Sequence, residues 1–157
     1  MGPPRLGVLG WELVSNAATP GRTQDRAGLG PAHGGIDMAD SEKLEAGKDL
    51  ARKLFAGAPA GGGGRFPKKF NDYTMEHLFG DVWQQDDMTL EERSLITCTI
   101  LVALGRENEQ KVHFTGAKNL GIPREKVEGM ITQAAHYAGW PCAATALGVL
   151  NQVWPVE

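Results

Sequence analysis

At 157 residues the chain has room for one domain with a real core and is short for two. With 16 basic against 19 acidic residues and a formal charge of −3, neither nucleic acid nor an anionic membrane is the expected partner; a small molecule or another protein chain is. The longest apolar run, Leu95 to Leu104, falls well short of the roughly 20 residues that cross a bilayer and is interrupted by Thr97, Cys98 and Thr99, which points to a soluble protein.

Residues 1–37 are rich in Gly, Pro and Ala, and Arg5, Arg22 and Arg26 are scattered among few large apolar residues with no sustained period. A disordered N-terminal extension, dispensable for folding, is expected there. Its apolar patch is broken by Glu12 and is followed by no small-residue cleavage site, so it does not read as a secretory signal. Met38, a possible second start, opens a domain expected to run over 38–157. The first helix has Asp40 or Ser41 as cap and Leu44, Gly47, Leu50 and Leu54 at helical spacing. The run from Ala56 to Gly64 cannot hold a helix, because each glycine costs about 1 kcal/mol in a helix interior. It lacks the Lys-Ser/Thr that would mark a phosphate loop and reads as a connector.

From Phe66 onward a helical stripe returns through Phe70, Tyr73, Thr74, His77 and Leu78, with Pro67 in its first turn. His77 lies at the edge of that apolar face as a packing residue. Thr89 followed by Glu92 has capping-box spacing, and Gly105 suits a left-handed helix end. Between them Leu95, Ile96, Cys98, Ile100, Val102 and Leu104 point in nearly every direction, so this helix is expected to be buried on most sides. A polar helix follows, in which Arg106, Glu109 and His113 at i, i+3, i+7 share one stripe continued by Gly116 and Ala117. After Gly121, Pro123 opens a helix with Val127, Met130, Ile131, Ala134 and Ala138 on one side. Gly139 ends it, and Pro141 starts a last helix that packs Leu147, Leu150 and Trp154. The sum is an all-α domain of five to seven helices.

The two cysteines, Cys98 and Cys142, are far apart within apolar segments, which suits a reducing, cytoplasmic compartment and neither a disulfide framework nor a thiolate metal cage. The histidines at 33, 77, 113 and 136 lack ligand spacing, so no metal is expected.

Three segments, "ERSLIT" (Glu92 to Thr97), "ALGRENEQKVHFTGAKNLG" (Ala103 to Gly121) and "QAAHYAGWPCA" (Gln133 to Ala143), resemble in order and separation the carboxymuconolactone decarboxylase family, over about Phe70 to Trp154. The wider group includes alkylhydroperoxidase-like proteins, whose Cys-x-x-Cys would fall at Arg106 and Glu109, so the thiol couple is missing here. The resemblance implies a compact helical bundle of the alkylhydroperoxidase-like type that assembles as a trimer or hexamer. It further implies a cofactor-independent decarboxylase acting on a carboxylated γ-lactone, converting γ-carboxymuconolactone to β-ketoadipate enol-lactone and carbon dioxide in aromatic catabolism. His113 is then the expected proton donor, Glu109 its orienting carboxylate and Arg106 a bidentate carboxylate clamp, with His136 and Tyr137 as substrate-binding donors. The family usually has Asn where this chain has Leu120 and Ala144, a loss of two polar groups that bears on the substrate. The alternatives are a repurposed member, such as a secondary-metabolism cyclase or a non-catalytic subunit, and a peroxidase-like protein using Cys98 or Cys142.

Overall fold

The structure, a computed structural model, describes residues 40–59 and 66–156. The extension over 1–37, Met38 and the glycines at 61–64 lie outside the described residues. Helix α1, Asp40–Leu54, buries Gly47, Leu50, Ala51 and Leu54 along the expected stripe. Pro67 then caps α2, Lys68–Tyr73, which runs on into a π-helical segment, Thr74–Phe79, and a 3₁₀ turn at Val82–Gln84. Here the expected apolar face does not close. Phe70, Tyr73 and Leu78 are 54%, 60% and 40% exposed, His77 is exposed, and Phe79 and Trp83 are buried instead. A π turn takes in an extra residue and rotates the chain beyond it, so that Phe79 rather than Leu78 meets α1.

Helix α1 and the π-helical segment approach to backbone distance at two glycines. A Cβ on Gly47 would lie 1.7 Å from the Met75 carbonyl oxygen, and one on Gly80 would lie 1.9 Å from that of Lys43. The Lys43 ammonium reaches Asp81 at 3.4 Å alongside.

Helix α3, Leu90–Ala103, opens with the capping box: the Glu92 backbone N–H donates to the Thr89 hydroxyl at 3.2 Å, and the Thr89 N–H donates to the Glu92 carboxylate at 2.8 Å. It closes at Gly105, φ +63, whose N–H donates to Val102 while the Arg106 N–H donates to Leu101. This double bond pattern satisfies carbonyls that a helix end otherwise leaves open. The burial expected around α3 is one-sided, however. Ser94, Cys98 and Val102 are buried, whereas Ile96, Ile100 and Leu104 are 48%, 51% and 64% exposed, because no described element covers their stripe.

Helix α4, Glu107–Asn119, ends in the same way at Gly121, φ +78, with Ile122 tucked into the core. Pro123 is the cap of α5, Arg124–Ala138, and Gly139, φ +97, separates it from α6, Trp140–Val153. On α6 the buried face is Ala143, Ala146, Val149 and Leu150, and the expected core residue Leu147 is 38% exposed. No strand and no helix long and apolar enough to cross a membrane occurs among the described residues.

Two apolar clusters result. The larger joins α3 to α6 through Cys98, Val102, Phe114, Ile131 and Leu150, and the smaller joins α1 to the π-helical segment through Leu50, Ala51, Leu54, Phe79 and Trp83. Leu120 packs against both. The Asn119 amide donates to the Leu54 and Ala56 carbonyls at 2.8 and 2.9 Å, holding the end of α1 against that of α4.

Candidate active site

The orientation of α4 is fixed from its first turn. Gln110 is fully buried and its amide donates to the Leu101 carbonyl at 3.1 Å, while Phe114 and Ala117 continue the buried face. That leaves Glu109 and His113, one turn apart, on the side that faces α1 and the π-helical segment. Gly116 lets the end of α1 come near: its Cβ would meet the Leu54 carbonyl at 3.4 Å and the Phe55 ring at 3.7 Å.

Between these elements lies a pocket of about 500 Å³. Phe55, Phe79, Trp83, Met75 and Val112 form its inner wall, Phe66, Phe70 and Leu78 its rim, and Thr97, Asn71 and Thr74 add polar groups beside Glu109 and His113. The aromatic rings hold one another: Phe55 meets Phe79 edge-on at 5.5 Å, Phe79 meets Trp83 at 5.5 Å, and the exposed pair Phe66 and Phe70 stack at 5.0 Å. The His113 ring stands edge-on to Phe55 at 5.3 Å.

The structure brings together two of the five expected site residues. Arg106 is the cap of α4, with φ −88 and ψ 74, so it does not continue the helical stripe of Glu109 and His113; it is exposed and does not line the pocket. His136 and Tyr137 project from the end of α5, where His136 bonds the Thr132 carbonyl at 3.0 Å, its ring lies 5.7 Å from Trp140, and Tyr137 is 84% exposed. Neither lines this pocket. Nor do Leu120, which packs against both cores, and Ala144, which is exposed on α6. Most of the aromatic lining was not anticipated as a site, although the spacing of Phe70, Thr74 and Leu78 placed those residues on one stripe.

Burial pushes the His113 imidazole below its ordinary pKa, and Glu109 opposes that only in part. The ring is therefore neutral in the resting protein at neutral pH. The stability contributed by a histidine buried neutral is fully present above about 6.5. It is lost as pH falls through the lower folded value, because the unfolded chain takes up a proton that the folded one resists. Between pH 7 and 5 the melting temperature of the native chain is expected to fall more than that of His113→Gln; parallel curves would exclude this ring as the source.

Cys98 is buried without exposure, and desolvation pushes its thiol up to about 12, so it holds its proton at any physiological pH. Cys142 is half-buried, and neither cysteine lines the pocket.

The family model described as Carboxymuconolactone decarboxylase family matches residues 68–152, which contain Glu109, His113 and every lining residue except Phe55 and Phe66. Over 89 residues the chain is 29% identical to the 4-carboxymuconolactone decarboxylase of Acinetobacter baylyi, covering 57% of this chain and 66% of that protein. It is also similar to the nitrosuccinic acid decarboxylase of Metarhizium robertsii, 26% identical over 87 residues, covering 55% of this chain and 61% of the other. In both cases the matched part spans a little under two thirds of the relative's length.

Proposed function

Because the chain belongs to the carboxymuconolactone decarboxylase family, we propose that it is a cofactor-independent carboxy-lyase acting on a γ-lactone with a carboxylate on the ring carbon and a carbon–carbon double bond conjugated to the lactone carbonyl. The observation that carries this reading is the Glu109 and His113 pair set one turn apart in a largely apolar pocket inside the family segment. In such a lactone the bond from ring carbon to carboxylate breaks, and carbon dioxide leaves. The electron pair passes through the conjugated double bond towards the lactone carbonyl, so the substrate is its own electron sink. Apolar walls favour this step, since the reacting charge starts localised on a carboxylate and ends spread over the ring.

One proton must then reach carbon. His113 is neutral at rest, but an anionic substrate beside it raises its pKa, as Glu109 already does in part. The imidazolium formed in the complex is the donor, and Glu109 positions and stabilises it. The test is purified full chain mixed with γ-carboxymuconolactone and related carboxylated lactones, following loss of lactone absorbance together with released carbon dioxide. Stoichiometric release supports the reading, and none from any such lactone rejects it.

Self-association as a trimer or hexamer belongs to the same reading. Ile96, Ile100 and Leu104 form an exposed aliphatic stripe along α3 that a second copy would cover. Light scattering is expected to give a multiple of the chain mass at micromolar concentration, and Ile100→Glu to decrease it. A strictly monomeric native chain would count against the assembly.

A further inference from the structure

Resting on the decarboxylase reading, we propose that the substrate carries a single carboxylate and, in place of a second charged arm, a bulky apolar group of about aromatic size. The argument is the pocket's charge and donor inventory. Among the described residues no lysine or arginine lines it, and its one acidic side chain is Glu109. Thr74 and Thr97 look like donors, but their hydroxyl protons are committed to the Phe70 and Arg93 carbonyls, each at 2.8 Å, which leaves only lone pairs for a ligand. The remaining donors, the Asn71 amide, the His113 ring and the Trp83 indole, are neutral at rest.

One carboxylate can be met by such a set, especially when its arrival protonates His113. A second would meet the like charge of Glu109, with no cation among the described lining residues to balance it, which disfavours binding. The apolar side of the inventory is larger than a small lactone needs. About 500 Å³ falls in the range of roughly 300–1,000 Å³ that holds drug-sized ligands. The stacked pair Phe66 and Phe70, 49% and 54% exposed at the rim, offers aromatic faces that nothing described covers.

Binding can be separated from turnover with saturated γ-lactone carboxylates, which lack the double bond that makes decarboxylation possible. Two are compared by calorimetry on the full chain at pH 7, bearing either a benzyl or a carboxymethyl group on the carboxylated carbon. The benzyl compound is expected to bind ~10-fold more tightly, chiefly because its ring gains an aromatic contact at the rim worth that much, while the carboxymethyl arm gains none. Phe70→Ala is expected to erase most of this preference with little change in melting temperature, because its ring is half-exposed. Equal affinity, tighter binding of the carboxymethyl compound, or binding of neither overturns the proposal. The unsaturated pair then reports on the reaction alone. Tight benzyl binding without carbon dioxide release sinks the decarboxylase reading and leaves the ligand class standing, whereas preferred decarboxylation of the diacid does the reverse.

Discussion

Replacing His113 with glutamine is expected to decrease turnover of an accepted lactone by roughly 10²–10⁴-fold, the usual contribution of a positioned general acid. Glutamine keeps a polar head of similar reach but cannot carry a transferable proton. The edge contact with Phe55 at 5.3 Å is lost, which costs about 1 kcal/mol, so the fold should persist by circular dichroism. The pH dependence separates a proton donor from a merely structural ring. In the free protein burial holds His113 below its ordinary value, so the descending basic limb of kcat/KM should lie below about pH 6.5. Bound anionic substrate raises the same group, which places the basic limb of kcat at higher pH. Coincident limbs, or full activity in His113→Gln, would remove His113 from the proton-transfer role.

Gly47→Ala is the substitution expected to do most damage to the fold. Its Cβ would fall 1.7 Å from the Met75 carbonyl oxygen and 2.8 Å from the Gly80 nitrogen, both backbone atoms that cannot rotate aside. Relief requires α1 and the π-helical segment to separate along the smaller apolar cluster. The cost should reach or exceed the ~3 kcal/mol at the upper end of usual overpacking, a decrease in melting temperature of roughly 10–20 °C for a domain of this size. Gly129, where an added Cβ meets nothing within 4 Å, is the control: Gly129→Ala should be neutral or slightly stabilising. Because Met75 and Phe79 lie on the displaced segment and line the pocket, Gly47→Ala should also weaken ligand binding. Equal melting temperatures for the two variants would mean that the close crossing does not exist in solution.

The sequence made the helix ends legible because their chemistry is local. Thr89 with Glu92, and the glycines at 105, 121 and 139, each act within a few residues of themselves. The Glu109 and His113 pair was legible for a similar reason, since i, i+4 spacing survives a small error in where the helix begins. Arg106 was not, because the same spacing argument fails once the residue becomes the cap, and no local signal distinguishes the last loop position from the first helical one. The stripe Phe70, Thr74, Leu78 was readable as a stripe, but periodicity does not say whether a shared face meets a core or a cavity. The π turn rotated it towards the cavity. Ile96 and Ile100 carried the same ambiguity, since apolar composition marks a surface that tends to be covered without naming the cover.

The unequal size of the two apolar clusters has a kinetic meaning. Among the described residues thirteen buried side chains hold α3 to α6 together, whereas five hold α1 to the π-helical segment, so the second union should be the first to part in native-state fluctuations, with amide exchange along α1 faster than along α3 or α5. Phe55, Met75, Phe79 and Trp83 all belong to that looser union while His113 and Glu109 do not. A transient opening therefore swings one wall of the pocket away from His113 and Glu109, which stay in place, and would give the bulky ligand proposed above a way in and out without disturbing the side chains it is expected to meet.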